Sequence, residues 1–112
     1  MAANDYHVIV YQILAYLYAQ LKKGKPIDSE MLTHNGKIFD VNKAYWIYIM
    51  KSLSEQGYIE GLKFTKLEDD TVNVTGLSKC QITPRGIEYI CDDYMLDKVR
   101  DYMRNKDIPE FI

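Results

Sequence analysis

The chain has 112 residues, of which 47% are hydrophobic and 27% are charged, and its formal net charge is −2. A chain of this length and composition folds as one domain and buries about two-thirds of its surface, which excludes a disordered protein. The charge balance provides no overall positive field that would attract nucleic acid or an anionic membrane.

The first predicted element is a long helix in the region 1–24, because apolar residues from Tyr6 onward recur at the spacing of a helical face. Asp5 can cap this helix, and Pro26 prevents it from continuing. A second apolar stripe, which includes Tyr11 and Tyr18, lies on another face of the same helix. Either another helix of the chain or a partner subunit must therefore cover this second face.

Two further helices are predicted before the middle of the chain. Asp28 can cap a short helix, and Asn35-Gly36 is typical of the turn that follows it. A longer helix is predicted from about Val41 to Gln56, with its N-cap at Asp40 or Asn42. Its apolar residues with the spacing of a core-facing stripe are Trp46, Ile49, Met50 and Leu53.

A β-hairpin is predicted after this helix, which ends at Gly57 in the left-handed conformation. Alternating polar and apolar residues indicate one strand from Leu62 to Leu67 and a second from about Thr71 to Ile82. The polar turn Glu68-Asp69-Asp70 joins the strands, and Gly76 is a candidate bulge in the second. Each arm is therefore expected to contain about ten residues.

The last predicted element is a helical region over residues 83–105. Thr83 is a favourable N-cap, and Pro84 suits the first helical position because that position needs no backbone N–H. A break is expected near Asp92-Asp93, since the apolar stripe restarts at Met95. The tail beyond Asp107 contains a proline and is expected to fray.

The order helix, short helix, helix, hairpin, helix is that of a winged helix, an α+β fold. In this interpretation a three-helix bundle contains the helix-turn-helix pair, and the hairpin is the wing. The predicted boundaries within a single domain over 1–112 are 1–24 for the first helix, 27–56 for the helix-turn-helix, 58–82 for the wing and 83–105 for the C-terminal helices.

Two sequence motifs carry a resemblance to a known family. They are Gly57-Tyr58-Ile59-x-Gly61 and Ile82-Thr83-x-x-Gly86-x-x-Tyr89-Ile90, followed by an amphipathic helix. From about Leu53 to Arg104 the chain resembles the YjcQ-like family of small winged-helix proteins of Gram-positive bacteria and their phages. The first half resembles that family in the order of its elements. The resemblance implies a winged-helix fold, dimer formation and a DNA-binding role, and it supplies no catalytic residues.

The first functional hypothesis is a DNA-binding transcription regulator of prophage or mobile-element type. Its contacts to double-stranded DNA are predicted at Lys43, Tyr48 and Lys51 on the third helix and at Lys63, Lys66 and Lys79 around the wing. The third helix lacks arginine, which makes the commonest specific contact to guanine, and the hairpin turn carries three carboxylates. The alternative is that the six residues are ordinary solvated positions.

The second hypothesis is a protein–protein interaction module that keeps the fold without binding DNA. The residues predicted for an interface, including that of a homodimer, are Tyr11, Tyr18, Ile47, Met95, Val99 and Tyr102. Tyrosine is enriched at interfaces, and an apolar residue on an outward helix face favours a partner. Packing within one chain is the alternative for each of them.

Other classes of function receive no support from the sequence. No basic segment of a signal peptide and no membrane span is found, so we expect a cytoplasmic protein with no membrane partner. Cys80 and Cys91 lack a CxxC pattern, and we expect both to be small core residues rather than a disulfide. We expect neither a metal nor a cofactor nor a small-molecule ligand, and no enzymatic activity.

Overall fold

The computed structural model describes residues 5–92, 94–97 and 99. They form an α+β domain with several helices and small antiparallel strand pairs. The elements are α1 (Asp5–Lys23), α2 (Ser29–Leu32), α3 (Lys43–Glu55), β1 (Ile59–Glu60), β2 (Lys63–Lys66), β3 (Val72–Thr75), a 3₁₀ turn (Leu77–Lys79), β4 (Gln81–Ile82) and α4 (Pro84–Ile90). Residues 94–97 and 99 are also helical.

Helix α1 is buried on more than one face. It packs against α3, α4 and β4, which together cover both apolar stripes. Tyr11 is among the most buried side chains of the core, so other parts of the same chain cover the second face. The helix ends where predicted, because Gly24 has a φ of 66° and the Lys25 N–H donates to the Gln20 carbonyl at 3.0 Å.

Helix α2 is short and is fixed to α3 by a buried hydrogen bond. Asp28 caps α2 as predicted, accepting a hydrogen bond from the Glu30 N–H at 3.0 Å. The Trp46 indole N–H donates to the Leu32 carbonyl at 2.8 Å. Asn42 rather than Asp40 caps α3. Ten residues, 33–42, connect the two helices, which is longer than the three- to four-residue turn of a typical helix-turn-helix.

The predicted end of α3 is confirmed. Gly57 has a φ of 79°, a conformation that costs little only for glycine. The Gly57 N–H donates to the Ser54 carbonyl at 3.1 Å, and the Tyr58 N–H donates to the Leu53 carbonyl at 3.0 Å. This pair of bonds is the Schellman motif, which satisfies carbonyls at the helix end and turns the chain towards β1.

The hairpin differs from the prediction of two continuous arms. β1 pairs with β4 and β2 pairs with β3, both antiparallel, as two separate ladders. Gly61 and Gly76 divide them, with φ values of 100° and 89°. A Cβ atom on Gly76 would overlap the Gly61 carbonyl oxygen, so the two arms approach each other too closely there for side chains. The 3₁₀ turn then separates β3 from β4 in the second arm.

Thr83 joins the end of α3 to the start of α4. Its hydroxyl accepts from the Gly86 N–H at 3.1 Å, which confirms the predicted N-cap, and donates to the Gly57 carbonyl at 2.5 Å. The Thr83 N–H donates to the Tyr58 carbonyl at 3.0 Å. A Cβ atom on Gly86 would overlap that same carbonyl oxygen. The two motifs that carry the family resemblance therefore meet at one junction.

The predicted break in the C-terminal region is also confirmed. Helix α4 ends at Ile90, and the Asp92 carboxylate accepts from the Tyr94 N–H at 2.8 Å where the helix resumes. Cys80 is buried, as predicted, but Cys91 is exposed because it lies at the break, outside the buried stripe. Both thiols are free.

Candidate nucleic-acid interface

Helix α3 separates a buried face from an exposed one. Its core-facing residues are buried as predicted. Lys43, Tyr48 and Lys51 are exposed, and Tyr48 keeps 65% of its surface accessible. A rotation of about 100° per residue places these three side chains within an arc of about 140°. The structure therefore brings the three predicted helix contacts together on one face.

The predicted interface residue Ile47 lies within this arc, between Lys43 and Lys51, by the same rotation per residue. It is half-buried and packs against the core, so it exposes less surface than the sequence suggested. Its neighbour Tyr48 is fully on the surface. Tyr48, Lys51, Ser52 and Glu55 line a shallow depression of about 330 Å³. This depression mixes one positive and one negative side chain with an aromatic ring.

The two lysines of β2 differ in whether a carboxylate lies beside them. Lys63 is exposed at the start of β2. At its end the Lys66 ammonium lies 3.4 Å from the Asp70 carboxylate, so an opposite charge neighbours it. The Asp69 carboxylate accepts hydrogen bonds from the Thr71 hydroxyl and N–H, which lower its pKa. Asp69 and the neighbouring acidic residues Glu68 and Asp70 make the turn acidic, and it would repel a phosphate backbone.

Lys79 occupies a different surface from the lysines of α3. It lies on the 3₁₀ turn and lines a groove of about 460 Å³ together with Lys25, from the segment after α1. No residue of α3 lines this groove. The sequence grouped Lys79 with the wing because it could not show that the 3₁₀ turn carries this residue towards α1.

An aromatic stack at the Thr83 junction was not foreseen from the sequence. The rings of Tyr58 and Tyr89 are parallel within 9°, with centroids 4.5 Å apart. The Arg85 guanidinium carbon lies 5.5 Å from the Tyr58 ring centroid, within the range of a cation–π contact. Arg85 and Tyr89 are four residues apart on α4, which is the spacing of neighbours on a helix face. This spacing is the feature of the sequence from which a cluster of Arg85 and Tyr89 could have been predicted.

Further tyrosines surround this stack. Burial raises the pKa of the Tyr89 hydroxyl, and the neighbouring Tyr6, Tyr58, Tyr94 and Asp92 raise it further. Tyr94 keeps 64% of its surface exposed. Part of the tyrosine surplus of the chain is therefore concentrated where α1, α4 and the following helical segment meet.

Three of the residues predicted for an interface are buried inside this chain, which corrects the prediction. Tyr11, Met95 and Val99 belong to the core of this chain and present no surface to a partner. Tyr18 is half-buried, with the Lys22 ammonium 4.8 Å from its ring centroid. Tyr102 lies outside the described residues. Long apolar stripes have the same pattern in a core as in an interface, so the sequence left both alternatives open.

Residues 5–92, 94–97 and 99 lack two features that mark other protein classes. No group of three or more histidine, cysteine or acidic side chains is arranged to hold a metal ion in that part of the chain. No helix there combines the length and apolar character that crossing a bilayer requires.

The described residues form a small α+β domain in which α3 presents an exposed face that carries two lysines and a tyrosine. A family model described as YjcQ protein matches residues 11–108, which is 98 of the 112 residues. The chain belongs to the YjcQ family, and the match includes most of α1, where the sequence showed only a similar order of elements. No curated protein and no solved structure matches the chain.

Proposed function

We propose that this YjcQ-family protein is a cytoplasmic, non-catalytic winged-helix regulator that binds double-stranded DNA with α3. The observation that carries the proposal is the exposed arc of Lys43, Tyr48 and Lys51 opposite the buried stripe of that helix. In this arrangement α2 and α3 are the helix-turn-helix pair, and the β2–β3 ladder is the wing.

The two lysines of α3 are the phosphate contacts in this proposal. Lys43 and Lys51 lie two turns apart, about 12 Å along the helix axis, and no carboxylate of a described residue forms a salt bridge with either. Tyr48 lies between them along the sequence and offers both a ring and a hydroxyl to the groove. Lysine contacts to phosphate favour binding that depends strongly on salt and weakly on base sequence.

The wing is expected to contribute less to DNA affinity than the sequence predicted. Lys63 is the favoured wing contact because it lies near the base, away from the acidic turn. Lys66 is paired with Asp70, and Lys79 lines the groove beside α1. We therefore expect α3, rather than the hairpin tip, to provide most of the affinity.

A gel-shift titration of mixed-sequence duplex DNA against salt tests the proposal. The variant Lys43→Glu with Lys51→Glu is expected to weaken binding about tenfold or more at low salt. It is also expected to make the slope of log K against log salt about two units less steep, because two phosphate contacts are lost.

The matched control is Lys22→Glu with Lys23→Glu, at the end of α1. It changes the net charge by the same amount on a different surface, so it separates a local contact from a general charge effect. Equal losses for the two double variants, or no detectable binding by the native chain, would overturn the proposal.

An interaction module without DNA affinity is the second candidate. The exposed Tyr48 and Tyr94 and the acidic hairpin turn favour it, since they offer aromatic surface without added positive charge. In that case Tyr48→Asp abolishes partner capture while the fold survives, and Tyr48→Phe preserves it. Salt-independent binding to a protein partner, with no DNA shift, would support this candidate over the first.

A further inference from the structure

The groove between the end of α1 and the base of the hairpin has an apolar wall. Its volume is about 460 Å³, which is within the usual range of binding clefts. Leu17, Cys80 and Ile82 contribute buried surface to its floor, and Ile27 is half-buried at its side. Leu21 keeps 50% of its surface exposed there. Leu21 and Ile27 together with the buried floor give this concave surface an apolar lining, which favours an apolar occupant.

The rim of this groove is positively charged. Lys25 and Lys79 lie on it, both exposed, and no aspartate or glutamate is among its lining residues. The two salt bridges found among the described residues use Lys37 and Lys66 instead. An occupant that fits this groove therefore combines an apolar side chain with carboxylates.

The hairpin turn of the same protein presents that combination. Leu67 is 47% exposed, and it is followed directly by Glu68, Asp69 and Asp70. The Leu67 N–H donates to the Thr71 carbonyl at 2.8 Å, and the Asp70 N–H donates to the Leu67 carbonyl at 3.0 Å. These bonds fix the shape of the turn before it meets a partner, which lowers the entropic cost of binding.

The turn cannot reach the groove of its own chain. The groove is lined by residues 78–82 at the base of the hairpin, and the turn lies beyond the four residue pairs of the β2–β3 ladder. Those pairs span about 13 Å of extended strand. The complementary surfaces of one chain are therefore held apart and are available to a second copy.

We propose that the acidic turn Leu67–Asp70 of one copy binds in the lysine-rimmed groove of a second copy, and that the exchange is reciprocal. Each contact then occurs twice, as in a dimer with two-fold symmetry, and the assembly closes. Binding between copies gives the acidic turn a role that is separate from the lysines of α3. It does not depend on DNA binding, since the contacts are between two copies of the chain.

Charge exchange between the two surfaces tests this dimer by sedimentation velocity on the full chain. The tip variant carries Glu68→Lys with Asp70→Asn, since Asp70 has a φ of 67°, which asparagine tolerates. The groove variant carries Lys25→Glu with Lys79→Glu. Asp69 is kept in both because it holds the turn through Thr71. Each variant alone places like charges together, so its dissociation constant is expected to rise about tenfold or more.

An equimolar mixture of the two variants is expected to form dimers again, because the lysine introduced at the tip now meets a groove of opposite charge. A chain that carries all four substitutions is expected to dimerise by itself for the same reason. Restoration also shows that both variants are folded, which circular dichroism checks independently. High salt is expected to weaken the native dimer and the restored dimer alike.

Three results would overturn the proposal. They are a native chain that stays monomeric at all concentrations, single-surface variants that dimerise as the native chain does, and a mixture that fails to restore the dimer. A dimer that responds to Tyr48→Asp but to neither charge variant would assign the contact to α3 instead.

Discussion

The two ladders of the hairpin are adjacent in sequence but differ in environment. At the base, Ile59 and Ile82 face each other across β1 and β4 inside the hydrophobic core. In the distal ladder, Phe64 and Val74 are only half-buried, and the alternate residues of β2 and β3 are exposed. The base therefore belongs to the core of the domain, and the distal ladder is a surface projection.

Because of this difference, we expect the base to determine the stability of the domain and the distal ladder to take part in binding. The base joins α3 to α4 through hydrogen bonds of Thr83 and a close backbone approach at Gly86. The distal ladder and its turn carry exposed charged residues, which are the ones that the proposed contacts use. Substitutions at the base should change the free energy of unfolding, whereas substitutions in the distal ladder should change binding and leave the fold intact.

The largest effect at neutral pH is expected for Gly86→Ala at the base. The added Cβ atom would overlap the Tyr58 carbonyl oxygen, so the junction must shift, and we expect a loss of about 3 kcal/mol in unfolding free energy. Gly24→Ala is the control, because no atom lies within 4 Å of its Cβ position, although its φ is 66°. Its expected cost is about 1 kcal/mol in urea unfolding. Equal losses would show that the close approach at Gly86 is not tight.

The next effect concerns Cys80, which lies just before β4 in the core. Burial raises the pKa of its thiol from 9.0 to about 12. Above pH 9 the unfolded chain loses this proton while the folded chain retains it, so stability should fall between pH 9 and about 12. Each pH unit in this range is expected to cost on the order of 1 kcal/mol.

Tyrosines also ionise in this pH range, so the contribution of Cys80 must be measured separately from theirs. Unfolding curves of the native chain, Cys80→Ala and Cys91→Ala at increasing pH make that separation. Cys80→Ala should lose stability less steeply than the native chain above pH 9. Cys91→Ala should follow the native chain, because Cys91 is exposed. Identical pH profiles for all three proteins would mean that Cys80 ionises without cost and that the base is open to water.

A smaller effect is expected for Thr83→Val, which removes the N-cap of α4 and the hydrogen bond to Gly57. We expect a loss of about 1–2 kcal/mol. Thr65→Val is the matched substitution in the distal ladder, where the side chain is exposed, and its effect should stay within about 0.5 kcal/mol. Chemical denaturation of both variants measures the contrast, and a larger loss for Thr65→Val would reverse the comparison.

The features predicted correctly from the sequence depend on short stretches of chain. Gly57 ends α3, Thr83 caps α4, and Asp92 marks the break, because capping and turn geometry are decided by residues a few positions apart. The exposed arc of α3 was predicted for a related reason, since helical rotation fixes which side chains share a face.

Most of the features that were missed require contacts between distant residues. The division of the hairpin depends on Gly61 and Gly76 meeting across the arms, which neither glycine reveals alone. Cys91 was expected in the core because its spacing fits a helical stripe, but α4 ends before it. The groove needs the end of α1, the segment after it and the 3₁₀ turn to be brought together, and nothing in the sequence marks that approach.

The sequence by itself determined the order of the helices, the end of α3, the cap of α4 and the lysines on α3, because hydrogen bonds and periodicity within each element are local. The tertiary structure decided which apolar stripes are core, and it placed Lys79 beside Lys25 rather than with α3. The physical reason is that an apolar face specifies only that it must be buried. Which surface buries it depends on how the whole chain packs.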